Sequence, residues 1–140
     1  MREIDRVLEI ALYVEDMGRA VEFYRRVFRF AVLAKSTEPD RLTALDVGKT
    51  QVLLLSKKGA SVEAVATPGG KIPPCDGGGN SHLAFPIDTS ELKDWEKRLG
   101  ENGVVTESTV RWDRGGQSLY FRDPDGNLLE LATPGVWPTY

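Results

Sequence analysis

One cysteine and one histidine are all that this 140-residue chain carries of the two commonest soft metal ligands, and that scarcity excludes a good deal. With Cys75 alone no internal disulfide can form, and no thiolate cluster can hold a metal. Its setting, IPPCDGGGN, marks no base beside the sulfur, so a free thiol without catalytic or structural duty is expected. No apolar run approaches the roughly 20 residues that a bilayer span needs. The opening MREIDRVLEIALYVED has neither the uninterrupted apolar segment nor the small-residue cleavage site of a secretory leader, and a cytoplasmic protein is expected. Nor is there a block of Lys or Arg interleaved with aromatics. With a net charge of -3, nucleic acid and membrane surfaces are poor main partners, and a small molecule is the expected one.

What is present is ordinary globular material, 41% hydrophobic and 28% charged, enough for one domain or two small modules sharing a core. Hydrophobic period divides it. Val7 to Val14 reads as a strand, and Met17 to Phe28 as a helix with apolar Ala20, Val21, Phe23, Tyr24, Val27 and Phe28 on one side and Asp16 as N-cap. Strands follow at 31–36, 41–47 and 51–56, the last two joined by a turn at Gly48-Lys49. After a loop rich in Gly and Pro the same order returns: a strand at 81–87, a helix at 91–102, and strands at 104–110, 117–122 and 127–132. The chain is therefore an α+β protein built of two βαβββ modules: module one 5–57, linker 58–79, module two 80–134, and a tail 135–140. Trp137 and Tyr140 in that tail are expected to pack or to form a dimer contact.

The repeat lines up LEIALYV with SHLAFPI, which sets Glu9 opposite His82, and LLLSKKG with LELATPG, which sets Leu54 opposite Glu130. Two curled sheets side by side would make a cleft lined by those positions. Glu130 is the most telling of them. In SLYFRDPDGNLLELATP the Asp123-Pro124-Asp125-Gly126 turn fixes the register, and the strand after it is apolar on both faces except for Glu130. A buried carboxylate without a partner would cost several kcal/mol, so a metal, a cation or a watery pocket is expected beside it, unless it sits at the rim in water. Tyr13 shares a face with Glu9, and Tyr120 shares one with Ser118 and Arg122, which makes Tyr13, Ser118, Tyr120 and Arg122 candidates for contact with a small ligand. Arg111, Trp112 and Arg114 precede Gly115-Gly116 in a segment expected to be flexible, where an arginine could clamp an anion.

The paired modules, the opening LEIALYVEDMGRAVEFYRRVF, and above all SHLAFPI followed by LYFRDPDGNLLELATPG resemble the vicinal oxygen chelate superfamily: glyoxalases, extradiol dioxygenases, fosfomycin-resistance enzymes and bleomycin-resistance proteins. The resemblance implies the glyoxalase-like fold, a homodimer, and one divalent metal (Mn²⁺, Fe²⁺, Ni²⁺ or Zn²⁺) held at Glu9, His82 and Glu130. Leu54 stands where four-ligand members have another ligand, and His82 is the only histidine where other members use two. A metal with open positions would let a substrate chelate through neighbouring oxygens, and Glu9 is expected to serve also as a base. Tyr120 is expected as a catalytic donor, and Ser118 and Tyr120 match positions that contact the substrate or a bound oxyanion in fosfomycin-resistance enzymes. The expected activity is that of a metal-dependent lyase, isomerase or ring- or epoxide-opening enzyme; a bleomycin-resistance-like protein that binds a small molecule without catalysis is the alternative.

Overall fold

The chain folds into two units, Met1–Gly78 and Gly79–Tyr140, and a computed structural model describes residues 3–139 of it. The first unit contains β1 (Glu9–Val14), α1 (Met17–Phe28), β2 (Val32–Lys35), β3 (Leu42–Val47) and β4 (Gln51–Lys57), then a short hairpin of β5 (Val65–Thr67) and β6 (Gly70–Ile72). The second contains β7 (His82–Pro86), a single 3₁₀ turn at Thr89–Glu91, α2 (Leu92–Glu101), β8 (Ser108–Arg111), β9 (Gln117–Arg122) and β10 (Leu128–Ala132). Each unit has one four-stranded sheet, in the order β1-β4-β3-β2 and β7-β10-β9-β8. In both, the first and last strands pair in parallel and the rest are antiparallel.

Local chemistry explains the elements that position the site. Asp16 accepts from the Arg19 amide at 2.9 Å and starts α1, whose Ala20, Phe23, Tyr24 and Val27 are buried with Leu12, Val14, Leu45, Leu53 and Leu55. Gly48 and Lys49 both have positive φ, the backbone of a two-residue hairpin turn, and Asp46 Oδ1 accepts from the Lys49 amide at 2.7 Å. In the second unit Gly126 closes the turn at φ +83°, while Asp123 Oδ1 accepts from the amides of Asp125 and Asn127, each at 2.9 Å. The hydrophobic layer there is Leu119 and Phe121 of β9 and Leu129 and Leu131 of β10, all at 0% exposure, together with Leu99 of α2.

Three expectations need correction. The segment 58–79 is not a plain linker: it carries β5 and β6, with Thr67 Oγ1 donating to the Gly70 carbonyl at 2.8 Å, and its residues through Gly78 belong to the first unit. The strand expected from Val104 begins only at Ser108, because the Val104 amide donates to the Leu99 carbonyl at 2.9 Å and so closes α2, leaving Val105 exposed. Trp137 is 69% exposed, so of its two expected roles it is packing within the chain that is overturned, and Tyr140 lies outside the described residues. Among the described residues, no helix is long and apolar enough to cross a membrane.

Candidate metal and ligand site

Strand register decides which side chains share a face. In the second unit β10 pairs His82 with Leu128 and Ala84 with Glu130 across β7, and Glu130 with Tyr120 and Ala132 with Ser118 across β9. Cross-strand partners point to the same side, so Ala84, Tyr120, Glu130 and Ser118 lie together opposite the buried Leu129–Leu131 layer. The first unit has the same register. Ala11 of β1 pairs with Leu54 of β4, which pairs in turn with Ala44 of β3, so Leu54 occupies the place of Glu130 and Ala44 that of Tyr120. Glu9 begins β1 as His82 begins β7.

Glu130 is only 6% exposed, which removes the reading of a rim carboxylate in water. Its two oxygens have different partners. Oε1 accepts from Ser118 Oγ at 2.6 Å, and Oε2 lies 3.1 Å from His82 Nε2. The other imidazole nitrogen, Nδ1, is 3.1 Å from the Leu128 carbonyl oxygen. A carbonyl only accepts, so Nδ1 carries the proton of that bond, and a neutral ring then turns its Nε2 lone pair toward Oε2. Two acceptors facing each other need a proton or a cation between them. The His82 side chain is about half exposed, so the pair opens to the solvent side of the sheet.

Tyr120 is half-buried, its ring centroid 6.3 Å from that of His82. Burial pushes its phenol above the ordinary range, and the Glu130 carboxylate adds to the rise. A phenol raised in this way holds its proton, and it stands beside the His82–Glu130 pair. Ser118, fully buried, also accepts from Trp112 Nε1 at 2.8 Å. Trp112 was expected in a flexible segment; in fact it follows directly on β8, and its amide and carbonyl close a turn with Gly116 and Gly115 at 2.8 and 2.9 Å.

The remaining expected residues sit elsewhere. Arg122 spends its guanidinium on Glu107, at 2.9 and 3.3 Å, and on the Gly126 carbonyl at 3.1 Å, so it braces β9 against the segment before β8 and against the turn instead of standing ready for a ligand. Tyr13 lies in the first unit with its hydroxyl 3.1 Å from Cys75 Sγ and 3.2 Å from the Cys75 carbonyl. Cys75, expected to have no structural duty, therefore helps dock the 75–77 loop: its amide donates to the Ser61 carbonyl at 3.0 Å, and a Cβ on Gly77 would come within 2.7 Å of the Tyr13 ring. Glu9 is exposed in the first unit, and nearby in sequence Arg6 donates to the Thr50 carbonyl. Among the described residues, no three His, Cys, Asp or Glu side chains cluster so as to hold a metal. The Trp112–Ser118 link has no sequence signal, since nothing in the order of residues says that a tryptophan after β8 reaches a serine in β9.

Residues 6–131 match the family model described as the Glyoxalase/Bleomycin resistance protein/Dioxygenase superfamily. Among curated relatives, the metallothiol transferase FosB of Staphylococcus epidermidis is 29% identical over 133 residues, 94% of this chain and 83% of that protein, and the FosB of Staphylococcus saprophyticus is 26% identical over 131 residues, 93% and 78%. Among solved structures, a lactoylglutathione lyase from Agrobacterium tumefaciens superposes with a TM-score of 0.87 at 32% identity, covering 98% of this chain and 99% of that one. The fosfomycin resistance protein FosX of Mesorhizobium loti, at 20% identity, a TM-score of 0.66 and 96% coverage of both chains, shares the fold.

Proposed function

Because the chain belongs to the glyoxalase/bleomycin resistance protein/dioxygenase superfamily, we propose that it is a divalent-metal-dependent enzyme acting on a small oxygenated substrate, with His82 and Glu130 as metal ligands. The observation that carries this reading is the 3.1 Å approach of His82 Nε2 to Glu130 Oε2 with Nδ1 committed to a backbone carbonyl. An imidazole nitrogen and a carboxylate oxygen brought this close would suit a shared cation. The donor set also fits: one imidazole whose far nitrogen is anchored on Leu128, and one carboxylate whose far oxygen is anchored on Ser118. Glu9 joins them as a third ligand and base on the strength of the resemblance and of its place in the repeat, and a homodimeric, cytoplasmic protein belongs to the same reading.

A divalent ion held by His82 and Glu130 would supply Lewis acidity toward a substrate oxygen. The chain's own residues do the rest. Tyr120, whose phenol holds its proton, donates to a substrate oxygen as negative charge builds on it. Glu130 stays an acceptor at Oε1 for Ser118, which keeps its Oε2 face turned to His82. The relatives' names share a thiol, one a metallothiol transferase and the other a lactoylglutathione lyase, so the substrate screen pairs small thiols with epoxides and with hemithioacetals.

Metal analysis tests the reading. Purified protein should hold about one divalent ion per chain, lost on His82→Ala or Glu130→Ala and weakened by Glu9→Gln. Unchanged metal content in both the His82 and Glu130 variants would sink it and leave the alternative, a metal-free protein that sequesters a small molecule.

A further inference from the structure

We infer that Trp112 is a positioning residue for the Glu130 carboxylate, acting through Ser118; this rests on the metal reading above and goes beyond it to a residue outside the ligand set. The direction of the relay follows from donor chemistry. An indole N–H can only donate, so at 2.8 Å it makes Ser118 Oγ an acceptor. The hydroxyl has one proton, and it is then committed to Glu130 Oε1 at 2.6 Å, the short range of a hydroxyl bonded to a carboxylate. Oε1 is occupied in a fixed direction, and the lone pairs of Oε2 are left aimed at His82. Without the indole, the Ser118 hydroxyl loses the bond that fixes its rotor, and the carboxylate loses its orientation.

The indole is itself held in place. Trp112 N donates to the Gly116 carbonyl at 2.8 Å, and Gly115 N to the Trp112 carbonyl at 2.9 Å, closing the 112–116 turn. That turn is pressed against the segment after β10: a Cβ on Gly116 would lie 2.4 Å from the Gly135 carbonyl carbon, and one on Gly135 would lie 2.6 Å from Gly116 N. Gln117 N donates to Thr133 Oγ1 at 2.8 Å, and Thr133 N to the Gln117 carbonyl at 3.0 Å. Glycines 116 and 135 thus let two backbones touch, and the touch sets Trp112 over β9. A fully buried serine that both accepts from a tryptophan and donates to a nearly buried carboxylate would be an odd way to fill a core; as an outer support for a metal ligand it has a use.

The test uses Co²⁺ as the probe metal on the full chain, with binding followed by the visible absorption of the bound ion, whose bands report ligand geometry. Trp112→Phe keeps the ring and removes the donor at a residue 40% exposed, and Ser118→Ala removes the relay itself. Each should weaken Co²⁺ binding about tenfold and shift the bands. The double variant should be no weaker than the weaker single one, and Trp137→Phe, at a position 69% exposed, should change nothing. A wild-type chain that takes up no Co²⁺ overturns the metal reading and this inference with it. Wild-type binding with unchanged affinity and bands in Trp112→Phe overturns the inference alone, even if that variant melts earlier, and additive losses in the double variant would show that Trp112 does not act through Ser118.

Discussion

Glu130→Leu separates a residue kept for function from one kept for stability, because the first unit already has a leucine, Leu54, at the equivalent place in the register. The substitution removes a carboxylate that is 6% exposed, relieving a desolvation penalty of several kcal/mol. It adds apolar burial worth about 1.5–3 kcal/mol. Against these stand the lost bond from Ser118, about 1.5–3 kcal/mol for a charged acceptor, and about 1–3 kcal/mol for the orphaned Ser118 proton in a fully buried site. His82 adds little to the cost, since its half-exposed side chain reaches water. The balance falls on the stabilising side by about 1–2 kcal/mol, or about 3–6 °C in melting temperature for a chain of this length. The assay is thermal and urea unfolding in chelator and then in excess metal. In chelator the leucine variant should be the more stable. At a metal concentration of about 100 times Kd the wild type gains about 2.7 kcal/mol and the variant gains nothing, so the order reverses. A variant more than 1 kcal/mol less stable than wild type in chelator would refute the reasoning: Glu130 would then be a structural keystone of the second unit, and no metal would be needed to explain its burial.

Tyr13 offers a pH signature. Its phenol is pushed up to about 12, first by the hydrogen bond with Cys75, then by burial, then by the nearby charges of Cys75 and Asp76. A raised acid means that the folded chain keeps a proton which the unfolded chain gives up above about 10, so this contribution to stability is whole below about pH 10 and is lost as pH climbs toward about 12. Cys75→Ala should lower the phenolate absorbance midpoint toward the ordinary value and shrink that loss; an unmoved midpoint counts against the Tyr13–Cys75 bond. Gly116→Ala should lower the urea midpoint by about 1–3 kcal/mol of stability, since its Cβ would meet Gly135 backbone that has no side-chain freedom to yield. A midpoint equal to wild type would mean that the two segments part easily.

The parts legible in the sequence were those with strong local causes. Asp16 and the apolar stripe of α1 set the helix at Met17–Phe28, and the Gly48-Lys49 and Asp123-to-Gly126 turns fixed two hairpins whose strands then followed. Pairing of Ala11 with Leu54 and of Ala84 with Glu130 places the internal repeat in register, as the alignment of the two modules implied. What escaped lacked such causes. β5 and β6 are three residues each and largely exposed, so no hydrophobic period marks them. The late start of β8 depends on the Val104 amide turning back to α2, a competition invisible to propensity. Arg122 shares a strand face with Tyr120, but which cation pairs with Glu107 is settled by the fold and not by spacing.

The two modules share a register and differ in what they place on it. Where the second unit has Ser118, Tyr120 and Glu130, the first has Leu42, Ala44 and Leu54. Buried polar groups are costly unless every partner is supplied, and the second unit supplies them: Trp112 to Ser118, Ser118 to Glu130, Leu128 to His82. The same register position can carry a leucine, as Leu54 does within the same chain. Keeping the polar set in one copy alone is intelligible if that copy carries the metal ligands proposed above. On that reading, substitutions around Glu130 should alter whether metal is held, which metal analysis of the variants reads.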